Sequence, residues 1–451
     1  MTARRCLAVV LAAGEGTRMR SALPKVMHPV GGRPMLDAVI ASARAAGADR
    51  VAVVVGAGAD LVRRHLARTA PDASIHEQTE RLGTAHAVLA ARAAFAEPAD
   101  EVVVLYGDTP LVRPETIAAV RGRLAAGVDV AVLGFEAADP TGYGRLVLDG
   151  ERLVRIVEER DADAETRRIR LSNSGIMGFR GDLLPGLLDA VGNANAKGEY
   201  YLTDAIEIAV GRGLATGVVV GPEDEFLGVN DRVQLAVAEA VFQGRARIAA
   251  MRAGATLQAP ETVFFSHDTR LGRDVVVEPN VVFGPGVTVA DGVVVRAFSH
   301  LEGATVAAGA TLGPYARLRP EASIGEGAHI GNFVEIKKAD IAAGAKINHL
   351  SYIGDAVVGA GTNVGAGTIT CNYDGVFKHL TRIGAGVFVG SNTTLVAPVA
   401  IGDGGYTAAG SVVTADVPAD AVAFGRARQE NKPGRAREIR EALAAKKARK
   451  G

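Results

Sequence analysis

From Leu271 onward an aliphatic or aromatic residue returns every sixth position, and no other feature of the chain restricts its fold so tightly. The series runs Leu271, Val277, Phe283, Val289, Val295, Leu301. After a slip of one residue come Val306, Leu312, Leu318, Ile324, Ile330 and Ile336, then Ile341, Ile347, Ile353, Val358 and Val364, and finally Ile383, Val389, Leu395 and Ile401. A helix repeats its apolar face about every 3.6 residues and a strand every two, so a sustained period of six belongs to a solenoid. Each unit forms one short side of a triangular coil; its aliphatic residue points inward, and glycine or a small polar residue turns the corner. Glycine follows the inward residue at Gly325, Gly331, Gly354, Gly365, Gly384, Gly390 and Gly402, which helps explain the excess of glycine, 55 of 451 residues. The expectation is a left-handed parallel β-helix of hexapeptide repeats over 254–451, ending in a basic tail. The polar stretch 370–382 breaks the period and reads as a loop ejected from the coil, where binding residues tend to collect.

The first 230 residues have another texture. Apolar, β-branched runs at 6–11, 51–55, 102–105, 128–135 and 215–220 alternate with helical stretches at 35–46, 85–94, 114–125 and 203–212. That alternation predicts an α/β, Rossmann-like domain over 1–230, with a mostly parallel sheet covered on both faces and ligands beyond the carboxyl ends of its strands. Residues 231–253, rich in Ala, Val, Arg and Gln, read as a linking helix. Fifty basic residues balance fifty acidic ones, so no net field recruits nucleic acid or an anionic membrane. Two distant cysteines, Cys6 and Cys371, give no disulfide framework and suggest a reducing, cytoplasmic setting. Arg4-Arg5 before the apolar run 6–13 mimics a short signal peptide, but the glycine turn that follows favours a buried first strand. No run reaches the roughly 18 apolar residues of a membrane span, and no membrane insertion is expected.

The loop Gly14-Glu15-Gly16-Thr17-Arg18, followed by Pro24-Lys25, joins a strand end to two cations. Glycines let backbone N–H groups approach phosphate oxygens, and Arg18 and Lys25 would offset charge as pyrophosphate leaves a triphosphate. The motif is neither a Walker A loop nor a dinucleotide fingerprint. Asp108, in Tyr106-Gly107-Asp108, ends an apolar strand and is placed to hold Mg²⁺. Asn230 either supplies a second oxygen or caps the helix that follows; local sequence leaves both open.

These motifs, together with Arg81-Leu82-Gly83-Thr84-Ala85-His86, Thr141-Gly142-Tyr143-Gly144-Arg145, Asn173-Ser174-Gly175 and Glu199-Tyr200-Tyr201-Leu202-Thr203-Asp204, resemble a sugar-phosphate nucleotidyltransferase. Joined to the hexapeptide coil, they resemble the bacterial bifunctional N-acetylglucosamine-1-phosphate uridyltransferase / glucosamine-1-phosphate acetyltransferase family along almost the whole chain. The resemblance implies that Leu11, Ala12, Ala13, Gly14, Lys25, Gln78, Gly83 and Thr84 bind the uridine nucleotide. It further implies that Tyr106, Gly107, Gly144, Glu158, Asn173 and Thr203 hold the sugar phosphate, with Asp108 and Asn230 on Mg²⁺. Two departures from the family are Arg81, where Gln is frequent, and Leu227, where Glu is frequent; Arg81 lies close to the uracil-binding segment.

In the second half, Arg319 and Lys337 are one 18-residue coil apart, so they stack on one edge and face one anion. His349 and Tyr352 reach neighbouring edges, and Asn363 follows. By resemblance, His349 is the general base for the amine of glucosamine 1-phosphate, a role that suits an imidazole. Arg319 and Lys337 bind the sugar phosphate, Tyr352 and Asn363 position the sugar, and Glu335 orients His349. Ala366, Asn372, Tyr373, Ser391, Ala409 and Arg426 match acetyl-coenzyme A positions, with a backbone N–H near Ala366 as an oxyanion donor. Cys371 has no convincing base and reads as structural. Related enzymes trimerise about a threefold axis, so a homotrimer is expected. The tail 426–451, with ten Lys/Arg and three Glu, reads as a solvated end, disordered over 446–451, with its first part near the coenzyme A phosphates. The resemblance thus implies acetyl transfer from acetyl-CoA to glucosamine 1-phosphate, then uridylyl transfer from UTP to N-acetylglucosamine 1-phosphate. The alternative is a single nucleotidyltransferase with a β-helix for regulation or assembly.

Overall fold

A computed structural model describes residues 4–56, 59–195 and 198–449. The chain falls into two compact units, Met1–Ala246 and Arg247–Gly451. The main sheet of the first unit uses β1 (Cys6–Ala12), β2 (Arg50–Gly56), β3 (Ser74–Gln78), β4 (Glu101–Tyr106), β5 (Val130–Glu136), β6 (Arg145–Asp149), β7 (Arg152–Val157), β8 (Leu171–Arg180) and β9 (Thr216–Val220). Its order is β9-β5-β8-β4-β1-β2-β3, with the β6–β7 hairpin attached to β8. β1 is buried along its whole length because alternate residues feed two cores: Ala8 and Val10 pack on one face, Leu7 and Val9 on the other.

All five strands expected from the sequence are present, as are the four helices, although 85–94 divides into a helix at Thr84–Ala90 and a 3-10 turn at Arg92–Phe95. β8 was not anticipated. It runs antiparallel to both β4 and β5, and its register shifts between Asn173 and Met177, where Gly175 has φ 85°. That irregularity disguises the strand as a loop and re-aims Asn173. The linking helix spans Arg232–Arg252, with Asp231 Oδ1 accepting the Gln234 N–H at 2.9 Å.

The second unit is the expected coil. On one face Val277, Val295, Leu312, Ile330, Ile347, Val364 and Val389 stand in register on successive parallel strands. Every residue of the inward series is buried except half-buried Leu271 in the first turn. Each side chain contributes roughly 1.5–3 kcal/mol by leaving water, so the period itself accounts for the coil. The ejected loop is shorter than 370–382. Ile369–Cys371 and Thr381–Ile383 both stay in the ladder, and only 372–380 leave it. At one corner Phe298, Tyr315 and Phe333 take positive φ values and stack at 4.9 and 5.0 Å between ring centroids, about half exposed. The tail is solvated as expected, but Arg435–Ala448 is helical, so 446–448 of the stretch expected to be disordered end a helix; Ala, Arg, Lys and Glu favour that conformation. Residues 450 and 451 lie outside the described residues. Among the described residues no helix is long and apolar enough to cross a membrane.

Candidate active sites

In the first unit the loop after β1 folds back on Lys25. Gly16 adopts φ 64°, and a Cβ there would come within 2.6 Å of Lys25 Cβ, so only glycine allows this approach. Lys25 Nζ then donates to Asp108 Oδ2 and, at 3.2 Å, to Asn230 Oδ1. Two backbone bonds bring these groups together. Gly107 N–H donates to Leu11 O at 2.9 Å, and Val229 N–H donates to Asp108 O at 2.9 Å. Asp231 takes the capping role that the sequence left open for Asn230, and the Asn230 side chain faces the carboxylate's cation instead.

The adjoining cleft, about 280 Å³, is lined by residues 11–14, Lys25, Gln78, Gly83, Thr84, Tyr106 and Asp108, so the expected nucleotide residues do converge. Gln78 is buried and donates to Gly83 O at 3.3 Å. Gly83 (φ 117°) has no room for a Cβ, which would come within 2.4 Å of Tyr200 O. A second lobe holds Arg18, Lys25 and Asn230. Arg18 is exposed and has no ion-pair or hydrogen-bond partner for its side chain among the described residues. Glu15 and Arg81, which sequence reasoning passed over as a pair, form an ion pair at this mouth. Glu199 also lines the cleft.

Gly144, Glu158 and Asn173 gather beside it. A Cβ on Gly144 would lie 3.5 Å from Glu158 Oε1 and 3.6 Å from Asn173 Cβ, and Asn173 N–H donates to Gly144 O at 2.8 Å. Buried Arg145 braces this turn through Tyr143 O and, at 2.6 Å, Glu159 Oε2. The Tyr106 ring abuts Gly175, and its phenol is held well above the usual tyrosine range by burial, then by Asp108 and Glu158. Thr203 is buried at the start of Asp204–Gly211, next to Leu202, whose N–H donates to Thr84 Oγ1 at 2.9 Å.

In the coil, the register places Arg317, Glu335 and Tyr352 in one column, so Arg319 and Lys337 end the same face on successive turns. Arg319 Nη1 donates to Glu335 Oε1 at 2.8 Å. The expectation that Glu335 orients His349 is therefore not met. His349 Nδ1 instead meets Asn332 Oδ1 at 2.7 Å, since these two residues are register partners on the preceding face. With an amide oxygen accepting, the neutral ring carries its proton on Nδ1 and keeps the Nε2 lone pair. His349 is exposed beside a groove of about 200 Å³ that also includes Arg296, His329 and Asn332. Leu350, at φ 50°, turns the corner to Tyr352. Asn363 faces Lys346 and Phe388, and among the described residues no hydrogen bond joins its side chain to Tyr352.

The expected acetyl-CoA positions climb one edge from His349. Gly367 N–H donates to His349 O at 3.2 Å, Asn392 N–H to Ala366 O at 2.7 Å, and Gly410 N–H to Ser391 O at 2.8 Å. Ala409 is exposed in the same step, and the Arg426 chain lies against Gly410. The Ala366 N–H has no acceptor among the described residues. Asn372 is buried, donating to Asp355 Oδ2 and to Tyr352 Oη at 3.4 Å, while Tyr373 is exposed beneath Lys378. Both cysteines are free; burial pushes the Cys6 thiol up to about 12, which leaves it inert.

Residues 8–174 match the MobA-like NTP transferase domain, and residues 268–303 match the bacterial transferase hexapeptide (six repeats). The chain is 62% identical to the bifunctional protein GlmU of Azorhizobium caulinodans, over 98% of this chain and 99% of that one. It is 60% identical to the GlmU of Xanthobacter autotrophicus and 56% to that of a Bradyrhizobium strain, each over the same shares. Identity of this degree over 98% of the chain takes in both units, and by it the chain belongs to the bifunctional GlmU family.

Proposed function

We propose that the two activities of this family are divided between the two units, with a nucleotidyltransferase domain at 1–230, a linker helix at 231–253 and an acetyltransferase domain at 254–451. The protein is a bifunctional transferase of UDP-N-acetylglucosamine synthesis. It acetylates glucosamine 1-phosphate from acetyl-CoA and transfers a uridylyl group from UTP to N-acetylglucosamine 1-phosphate, releasing pyrophosphate. The observation that carries the assignment is the meeting of Lys25, Asp108 and Asn230 at the mouth of the glycine cradle, a group that shares no residue with His349 and its Asn332 partner.

In uridylyl transfer a phosphate oxygen of the sugar attacks the α-phosphorus of UTP in line. The new oxygen–phosphorus bond forms as the bond to the β-phosphate oxygen breaks, and the electron pair leaves with pyrophosphate. Residues 11–14, Gln78, Gly83 and Thr84 hold the nucleotide; Tyr106, Gly107, Gly144, Glu158, Asn173 and Thr203 hold the sugar phosphate. Arg18 and Lys25 stabilise the charge that builds on the leaving group. The donor set fits Mg²⁺: Asp108 and Asn230 aim a carboxylate and an amide oxygen at one cationic group, and these two residues would hold a hard cation. When bound, Mg²⁺ neutralises phosphate charge.

In acetyl transfer the amine nitrogen attacks the thioester carbonyl, His349 Nε2 takes the proton, and the carbon–sulfur bond breaks to release coenzyme A. Arg319 and Lys337 bind the sugar phosphate, and Tyr352 and Asn363 position the sugar. The free N–H of Ala366 is a donor for the oxyanion. Asn372, Tyr373, Ser391, Ala409 and Arg426 hold acetyl-CoA. A homotrimer in the cytoplasm is part of this reading. The exposed Phe298–Tyr315–Phe333 ladder supports it, because bulky left-handed residues cost about 1–2 kcal/mol each and a contact between copies would repay that cost by covering them.

The test uses the full chain with thiol release and pyrophosphate release followed separately. Lys25→Ala lowers uridylyl transfer roughly 10²–10³-fold and leaves acetyl transfer intact; His349→Ala does the reverse. Loss of both activities in both variants, each correctly folded, would refute the division.

A further inference from the structure

We infer that Arg81 is a third phosphate-binding cation of the nucleotide cradle, and that Glu15 holds it away from the ligand until a polyphosphate displaces that carboxylate. The inference rests on the uridylyl-transfer reading and adds to it a device for discriminating among nucleotides by charge.

Glu15 sits inside the glycine loop, between Gly14 and Gly16, where a carboxylate is an unfavourable neighbour for a polyphosphate. Its Oε1 is paired to Arg81 Nη1. The two side chains are 45% and 53% exposed, so water screens the pair and it opens at little cost. Arg81 lines both lobes of the site: the cleft with Gln78, Gly83 and Thr84, and the outer lobe with Arg18 and Lys25. It also lies against Gly56, where a Cβ would stand 3.5 Å from Nη2. The guanidinium thus faces both the lobe that holds Gln78, Gly83 and Thr84 and the lobe that holds Arg18 and Lys25.

Lys25 is already engaged by Asp108 and Asn230. Among the described residues Arg81 is paired only with Glu15, a group that phosphate charge repels. As a polyphosphate enters, Glu15 turns out to solvent and the planar fork of Arg81 exchanges one carboxylate oxygen for phosphate oxygens, a geometry it can meet in bidentate fashion. The exchange grows more favourable with each added phosphate, so the latch opens for a nucleoside triphosphate and stays shut for a monophosphate.

The experiment compares wild type, Glu15→Gln, Arg81→Gln and the double variant as full chains, measuring UTP, UDP and UMP binding by calorimetry and the KM for UTP. Circular dichroism and the thermal unfolding transition of the first unit check that each variant folds. Arg81→Gln weakens UTP binding about tenfold and UMP binding far less. Glu15→Gln tightens UTP binding about threefold, and that gain shrinks when Arg81 is also replaced. Unchanged UTP affinity in Arg81→Gln, or an equal Glu15→Gln gain in both backgrounds, overturns the latch. Wild type that binds UTP, with Lys25→Ala weakened and Arg81→Gln not, discards the latch and keeps the cradle. Wild type that does not bind UTP discards both.

Discussion

The two units build their sites by opposite routes. In the first, the functional groups come from points as far apart as Leu11 and Asn230, and nothing in their spacing says that they meet. A sheet order that runs out of sequence brings Leu11 O beside Gly107 and Asp108 O beside Val229. In the second, distance along the chain is distance in space: Arg317, Glu335 and Tyr352 stack because a turn of coil separates them. A doubly covered sheet collects a site at the ends of its strands, whereas a solenoid draws it along an edge. Damage should spread differently through the two designs.

The largest effect sharpens that contrast in the coil. Ile324 is buried on the face joining Val306 and Ile341, away from the His349 groove. Ile324→Ala is expected to cost about 2–5 kcal/mol, read as a lower denaturant midpoint for the coil, with uridylyl transfer retained. Loss of uridylyl transfer in parallel would mean that the units do not behave separately. Next, Asp108→Ala removes one of the two oxygens on Lys25 and should lower uridylyl kcat/KM about 10²-fold, roughly 2.7 kcal/mol. Thiol release from acetyl-CoA, measured in the same samples, stays at the wild-type rate.

A smaller effect tests the register partner. Asn332→Ala frees His349 Nδ1 and should reduce acetyl-transfer kcat about tenfold, with little change in KM. A drop in KM affinity alone would assign Asn332 to binding. The smallest effect concerns pH. Burial, then Arg232, lowers the His28 pKa from its ordinary 6.5. The unfolded chain therefore takes up a proton first as pH falls, and stability is lost below about pH 6.5. His28→Gln keeps an acceptor toward Arg232 and removes the titration, so Tm should fall less between about pH 7.5 and 5.5 than in wild type. An identical fall would place the sensitive group elsewhere.

The sequence was most readable where a period or a long apolar run carried the signal. Each inward residue from Val277 to Ile401 is buried because six-residue spacing leaves only one direction free of solvent. β1, β2, β4, β5 and β9 were legible as apolar runs of the length a covered strand requires. β8 was not, because its bulge at 173–177 interrupts that run with polar residues and a left-handed glycine. The tail helix was missed for a related reason. Its helix-favouring residues have no apolar stripe to reveal them, and it buries nothing.

Single-chain reasoning named Lys25, Asp108 and His349, since residue type and local motif were enough to suggest their chemistry. One partnership was misread: Glu335 pairs with Arg319, and Asn332 takes His349. The helix cap that the sequence left open at Asn230 is taken by Asp231. Glu15 met Arg81 across 66 positions with no local cue to that contact. Local order along the chain determined the coil, the strands and the glycine loop, because propensity and periodicity act between near neighbours. Partnership among polar side chains was decided only by the tertiary structure, because a hydrogen bond depends on a few tenths of an ångström and on an angle that no spacing in the sequence encodes.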